Sequence, residues 1–115
     1  MRWKINFYTE DSGNQPVKKW LINLEVKTKA KILKNIETLS EFNLTLKAPY
    51  VKPLEDKLYE LRTKDSKGIY RIIYFAYKEQ TFILLNGFAK KTQATPRKEI
   101  DLARKRIKEV KNGWF

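Results

Sequence analysis

The first forty residues show two different periods of apolar and polar positions. Residues 1–9 alternate one by one, which is the period of a half-buried strand, and turn-forming residues follow over 10–15. From Pro16 the period becomes that of an amphipathic helix, and a second helix is predicted from about Thr28. The predicted inward positions are Trp3, Ile5 and Phe7 in the strand, Val17, Trp20, Leu21 and Leu24 in the first helix, and Ile32, Ile36 and Leu39 in the second. The two helices are expected to form a hairpin packed on a sheet.

The middle of the chain predicts three strands in succession. Pro49 and Pro53 argue against any helix through the preceding segment, which is expected to be irregular over 43–53. Three apolar runs separated by short turns follow, and they are expected to be neighbours in an antiparallel sheet. The runs cover residues 57–63, 69–77 and 81–88, and the turns cover residues 64–68 and 78–80.

A last helix is predicted to begin at Thr95-Pro96 and to be terminated by Asn112-Gly113. Its inner stripe consists of Ile100, Ala103, Ile107 and Val110. The predicted fold class is α+β, with an antiparallel sheet, an N-terminal helical hairpin and a C-terminal helix in one domain of 115 residues. The helices are expected to cover one face of the sheet and to leave the other free as a binding surface.

Composition removes several kinds of chemistry. The chain has no cysteine and no histidine, so a disulfide framework, a thiolate metal site and a histidine general base are all excluded. The excess of 25 basic over 13 acidic residues gives a net charge of +12, which favours nucleic acid as a partner and an acidic protein next. No apolar run approaches the roughly 20 residues that span a bilayer, and the chain is expected to be cytoplasmic, with no membrane partner.

The candidate site lies on the three predicted strands. Glu60 and Arg62 stand two apart and therefore share a face, and the next strand can bring Arg71 beside them. Lys90 and Lys91 follow the third strand. A carboxylate among converging cations suits a phosphodiester, and the planar guanidinium fork of Arg71 suits a phosphate. The alternatives are that Arg71 is a structural strand arginine and that Glu60 and Arg62 form an ordinary surface ion pair.

Other residues extend this candidate site. Asn86, Phe88 and Lys90 share a face of the third strand if its alternation is regular, and Phe88 is then either a platform for an RNA base or an ordinary hydrophobic residue. The basic residues of the last helix lie mostly off its apolar stripe, which suits either a solvated face or a footprint on a polyanion. They are Arg97, Lys98, Arg104, Lys105, Arg106, Lys108 and Lys111.

Three motifs carry a family resemblance. The runs LYELR, GIYRIIYF and LLNGFAKKTQATP, followed by a helix of the pattern EI..A..R, resemble the RelE/ParE superfamily of toxins from bacterial type II toxin–antitoxin pairs. Within that superfamily they resemble the phage-derived HigB-like branch. The resemblance extends from Leu54 to about Arg106, and the helical hairpin precedes it in the expected place.

The resemblance implies a ribosome-dependent endoribonuclease that cuts messenger RNA, inhibits translation, is neutralised by an antitoxin, expected to be of the helix-turn-helix type, and needs no metal or cofactor. In this family the 2′-hydroxyl attacks the adjacent phosphate, leaving a 2′,3′-cyclic phosphate and a 5′-hydroxyl. The family's arginines fall on Arg62 and Arg71, and its basic pair falls on Lys90 and Lys91. Many HigB-like members have His where this chain has Asn86, which shifts the acid and base roles to Glu60 and the lysines.

The expected roles follow from this chemistry. Arg62 and Arg71 stabilise the phosphate, Glu60 is the base, and Lys90 or Lys91 is the acid. The expected substrate-binding residues are Lys57, Asn86, Phe88 and Thr92. Two alternatives remain: a ParE-like inhibitor of DNA gyrase without nuclease activity, and a non-catalytic module that binds RNA or an acidic protein.

Overall fold

The computed structural model describes residues 2–91 and 93–111 as a five-stranded sheet with three helices. The elements are β1 (Lys4–Phe7), α1 (Pro16–Ile22), α2 (Val26–Phe42), a 3₁₀ turn (Asn43–Thr45), β2 (Val51–Pro53), β3 (Tyr59–Asp65), β4 (Gly68–Tyr77), β5 (Thr81–Lys90) and α3 (Arg97–Glu109). The predicted α+β class, with a helical hairpin before the long strands and a helix after them, is confirmed. The predicted helix stop at Asn112-Gly113 lies outside the described residues.

The strand order in the sheet is β1-β5-β4-β3-β2. The expectation that the three long strands are sequential antiparallel neighbours is confirmed, because β4 pairs with β3 on one side and with β5 on the other. β1 pairs with β5 in the parallel direction, so the sheet is mixed. The short β2 lies inside the segment expected to be irregular, and Pro53 forms its last residue, on the edge of the sheet, where a missing N–H is tolerated.

Helices cover both faces of the sheet. α1 and α2 pack on one face against the core that includes Leu61, Ile72 and Leu84. α3 packs on the other face through Ile100 and Ala103, against a second core. The expectation of one free face is therefore wrong. The physical reason is visible in the sequence of β4 and β5, whose runs are apolar on both sides, as in a sheet that is buried on both faces.

A bulge in β5 sets the direction of the residues that follow it. Ile73 of β4 pairs with Asn86, whereas the next residue, Tyr74, pairs with Leu84, so Leu85 is an extra residue in β5. Leu85 packs in the core beneath α3, and Asn86 also contacts α3. The bulge thus turns the end of β5 over, so that Asn86 and the residue two positions later face α3.

Within the described ranges, no helix combines the length and apolar character needed to cross a bilayer.

Candidate functional site

Two rows of opposed residues form the candidate site on the α3 face of the sheet. Arg62 of β3 lies opposite Arg71 of β4, which lies opposite Phe88 of β5. In the neighbouring row Glu60 lies opposite Ile73, and Ile73 lies opposite Asn86. Because opposed residues and residues two apart share a face, the structure brings Glu60, Arg62 and Arg71 together. We call these three residues the arginine–glutamate cluster.

The carboxylate of Glu60 lies between the two guanidinium groups. Arg62 Nε donates to Glu60 Oε1 at 2.7 Å, and Arg71 Nη1 lies 4.0 Å from Glu60 Oε2. Glu60 and Arg71 are both fully buried, while the Arg62 side chain is 13% exposed. Such burial of charges is tolerated only when they are paired, and the cluster carries one more positive charge than negative.

The chain between β5 and α3 closes over this cluster. We call it the 93–95 segment. Arg62 Nη1 donates to Gln93 Oε1 at 2.9 Å, and Arg62 Nη2 donates to the Gln93 carbonyl at 2.7 Å. Arg71 Nη1 donates to the Ala94 carbonyl at 2.9 Å, and the Thr95 hydroxyl donates to Glu60 Oε2 at 2.7 Å. The two guanidiniums thus hold three oxygen atoms of this segment, in the manner in which they would hold the oxygens of a phosphate.

Arg71 has hydrogen-bond donors that none of the described residues uses. Its Nε and Nη2 atoms are buried and have no hydrogen-bond partner among residues 2–91 and 93–111. Burial lowers the pKa of the Arg71 guanidinium, the charge of Glu60 opposes that shift and the charge of Arg62 adds to it. The ring centroid of Phe88 lies 5.9 Å from Arg71 Cζ, within the range of a cation–π contact. A buried guanidinium with unfilled donors is a favourable place for an anion.

Asn86 connects the sheet to the first turn of α3. Its Nδ2 donates to the Glu99 carbonyl at 3.1 Å and to Glu99 Oε1 at 3.0 Å. Its Oδ1 is buried and has no partner in the described part of the chain. Asn86 therefore lies in the row of Glu60, but its amide group is used to hold α3.

The predicted lysines lie apart from the cluster. Lys90 is exposed and lies opposite Ile69 at the start of β4, and Lys91 lines a shallow cleft beside Gly68 and the β3–β4 turn. No hydrogen bond or ion pair joins either lysine to the arginine–glutamate cluster in the ranges that the structure covers. Lys90 nevertheless continues the α3 face, two residues beyond Phe88.

Among the predicted substrate-binding residues that the structure describes, Lys57 does not join this arrangement. Lys57 lies in the turn before β3, in a cleft of about 640 Å³ with Tyr77 and Lys108, at the end of β4 opposite to Lys90. The reason is the register, since β3 runs past β4 in the opposite direction and carries its first residues away from Arg71. Thr92 lies outside the described residues.

Sequence reasoning missed the contribution of Gln93, Ala94 and Thr95. Two of the three contacts that this segment makes with the arginines come from backbone carbonyl oxygens, which carry no residue-specific signal. The available signal was positional, because the segment lies between the end of β5 and Pro96, next to the start of α3. No group of three or more acidic side chains in the described ranges is arranged to hold a metal ion.

Two of three comparisons with known proteins found a match. Residues 19–108 match the family described as "Phage derived protein Gp49-like (DUF891)". A solved structure of the Escherichia coli toxin RelE, a double arginine-to-alanine mutant in the free state, superposes with a TM-score of 0.61 at 18% identity, over 93% of this chain and 99% of that one. No curated protein matches the sequence significantly. The chain therefore belongs to the phage-derived Gp49-like family, and it has the fold of RelE.

Proposed function

We propose that this protein is the toxin of a type II toxin–antitoxin pair, of the HigB-like branch, and that it inhibits translation as a ribosome-dependent messenger RNA endoribonuclease. The observation that carries the proposal is the arginine–glutamate cluster, in which two guanidiniums and one carboxylate meet on a rigid sheet. The RelE fold and the Gp49-like family support the toxin assignment. The net charge of +12 suits both RNA and an acidic neutralising protein.

The reaction is an in-line attack within the RNA. Glu60 takes the proton of the 2′-hydroxyl, and the 2′-oxygen forms a bond to the adjacent phosphorus. The bond to the 5′-oxygen breaks, and Lys90 or Lys91 gives that oxygen a proton. The products are a 2′,3′-cyclic phosphate and a 5′-hydroxyl. Arg62 and Arg71 neutralise the charge that builds on the phosphate oxygens in the transition state.

Substrate has to replace the 93–95 segment. The donors that would bind a phosphate are directed at Gln93 and Ala94 in the free protein, and Thr95 holds Glu60. The ribosome would supply both the displacement and the alignment, because holding the messenger in an attack-ready geometry converts binding energy into rate. This requirement accounts for an enzyme that is quiet in the absence of ribosomes. A bound antitoxin in the cytoplasm would keep the enzyme inactive.

The burial of the cluster favours one second candidate. Glu60 and Arg71 are both fully buried, and the contacts of the 93–95 segment already satisfy most of the cluster. On this alternative the cluster has a structural role and holds the 93–95 segment and α3 in place. The protein would then act by binding, as a ParE-like gyrase inhibitor or as a module that binds RNA or an acidic protein.

The test is cleavage of a defined messenger RNA by purified protein, with and without ribosomes. The wild type should cut the messenger on ribosomes and leave the naked RNA largely intact, and the new ends should be a 2′,3′-cyclic phosphate and a 5′-hydroxyl. Arg62→Gln and Arg71→Lys should each lower the rate by roughly 10²–10³, the effect of losing one transition-state donor. Arg2→Gln, which removes an exposed arginine that pairs with Glu41, is the matched control and should cut normally.

Two results would contradict the proposal. One is full cleavage by both cluster variants with their folds intact, as judged by circular dichroism and urea unfolding. The other is the absence of any ribosome-dependent cleavage by the wild type. In the second case, loss of DNA supercoiling on expression would support the gyrase inhibitor.

A further inference from the structure

A second cationic site lies at the open edge of the sheet. β2 pairs with Tyr59, Glu60 and Leu61, and among residues 2–91 and 93–111 no strand pairs with the rest of β3 on that side. There, α2 and the chain before β2 enclose a cleft of about 570 Å³, within the range of small-ligand sites of roughly 300–1,000 Å³. Arg62 lines this cleft and also belongs to the arginine–glutamate cluster. We call it the edge cleft.

Both walls of the edge cleft are fastened to β3. On one side the Arg62 backbone N–H donates to the Tyr50 carbonyl at 2.8 Å. On the other side Asn35 Nδ2 of α2 donates to Thr63 Oγ1 at 2.9 Å, and the Thr28 hydroxyl donates to Asp65 at 2.9 Å. Because each wall has its own attachment, the cleft is formed before any ligand arrives, which lowers the entropy that binding has to offset.

The lining has the chemistry of a nucleotide site. Four of its nine residues are cations and none is acidic; the cations are Lys31, Lys34, Arg62 and Lys64. Lys34 and Lys64 are exposed and make no ion pair within the described ranges. Tyr50, which is 41% exposed, supplies an aromatic surface beside them. Cations next to an accessible aromatic ring are the combination by which proteins hold single-stranded RNA, through phosphates and base stacking.

A protein strand fits the same edge less well. The edge-facing carbonyl of Lys64 accepts a hydrogen bond from Lys31 Nζ at 3.3 Å, and that of Arg62 accepts one from Asn35 Nδ2 at 3.4 Å. Side chains of α2 thus occupy acceptors that an added strand would need. The edge is open in space but its hydrogen-bonding groups are largely engaged.

We propose that the edge cleft binds a nucleotide of the RNA next to the one whose phosphate is cleaved, with its base on Tyr50 and its phosphate against Lys34 and Lys64. This inference rests on the proposed function, because Arg62 places the cleft and the cluster on one continuous path around the sheet edge. It assigns the residues of this cleft to substrate positioning. Loss of Tyr50 or of Lys34 and Lys64 should weaken RNA binding while the arginine–glutamate cluster stays intact.

The probe is a short single-stranded RNA with 2′-O-methyl groups, which lacks the attacking hydroxyl and cannot be cleaved. Its dissociation constant is measured by fluorescence anisotropy between about 50 and 200 mM salt. Tyr50→Ala should weaken binding roughly tenfold, while Tyr50→Phe should bind as the wild type does, because stacking needs only the ring. Lys34→Gln with Lys64→Gln should reduce the slope of log affinity against log salt by roughly 1.4, as expected for two lost phosphate contacts on a single strand.

The matched control replaces two lysines on the exposed side of α1, Lys18→Gln with Lys19→Gln, which changes the net charge by the same amount. Equal RNA affinity in this control and in both cleft variants would overturn the proposal. So would cleft variants that bind RNA normally but escape neutralisation by an antitoxin, because the cleft would then be a protein site. The probe measures RNA binding without cleavage, so the two proposals can be tested separately. A wild type that cuts no messenger would contradict the proposed function, and the binding constants of the cleft variants would still test the edge cleft.

Discussion

Arg62 and Arg71 lie directly opposite each other on neighbouring antiparallel strands, an arrangement in which like charges normally repel and destabilise a sheet. Glu60 offsets the repulsion by accepting from Arg62 and by lying 4.0 Å from Arg71. The carbonyl oxygens of Gln93 and Ala94 offset the rest. The cluster is therefore a coupled unit, and removal of any member should affect both the fold and the binding of phosphate.

Glu60→Gln should destabilise the protein strongly. The variant keeps the shape of the side chain but leaves two opposed guanidiniums without their shared anion, and breaking a buried pair costs roughly 3–5 kcal/mol. The free energy of unfolding in urea measures this loss. Glu37→Gln, which changes an exposed carboxylate on α2, is the control and should stay within about 0.5 kcal/mol of the wild type. A loss of less than about 1 kcal/mol in Glu60→Gln would show that the cluster is not a coupled unit.

Gln93→Ala should make the cluster more accessible. The change removes the Gln93 Oε1 contact with Arg62, and a net contribution of about 1 kcal/mol corresponds to a roughly fivefold larger population with the segment displaced. Ribosome-dependent cleavage should rise by a similar factor, and amide hydrogen exchange over residues 93–95 should accelerate. Thr95→Val, which removes the bond to Glu60, tests the same segment through a different contact. Unchanged exchange in both variants would show that these side chains do not hold the segment closed.

The central site follows from local rules that the sequence displays. Alternation places Glu60 and Arg62 on one face, and the short turn between β3 and β4 limits the register to pairings that bring Arg71 alongside them. The α+β class follows from the order in which strand-like and helix-like periods of apolar residues occur along the chain. In both cases the information lies in residues that are close in sequence.

The remaining features depend on contacts between distant residues. Neither Gly nor Pro stands at position 85 to indicate the bulge in β5. The bulge instead depends on a distant contact, in which the Leu85 carbonyl accepts a hydrogen bond from Arg106 Nη1 at 2.7 Å, twenty-one residues away. The apolar runs of β4 and β5 call for cover on both faces of the sheet, but the stripe of α3 does not say which face that helix covers. The position of Lys57 also depends on the length of β3, which residue types do not determine.

Stability should depend on the ionisation of Tyr8 at high pH. Burial first, and then Glu109, which accepts a hydrogen bond from the Tyr8 hydroxyl, together raise the pKa of Tyr8 to about 12. The pKa of tyrosine in the unfolded chain is about 10, so between about pH 10 and 12 the Tyr8 hydroxyl keeps its proton in the native state and loses it in the unfolded state. The free energy of unfolding therefore falls as the pH rises from about 10 to 12. Urea unfolding at increasing pH should show a loss of up to about 3 kcal/mol that Tyr8→Phe lacks. Tyr50→Phe, which alters an exposed tyrosine, should follow the wild type, and a parallel loss in Tyr8→Phe would contradict the assignment.

Gly87 lets α1 approach the sheet, and Gly87→Ala should therefore destabilise the protein. An added Cβ would lie 2.7 Å from Trp20 Cζ3 and closer still to Cε3, inside contact distance. Overpacking of this kind costs roughly 1–3 kcal/mol, measured as the change in the free energy of unfolding in urea. Trp20→Leu should remove most of the clash, so the double variant should be more stable than the sum of the two single changes predicts, by about 1 kcal/mol. Strict additivity would mean that the indole does not rest on Gly87 in solution, and the packing of α1 on the end of β5 would have to be different.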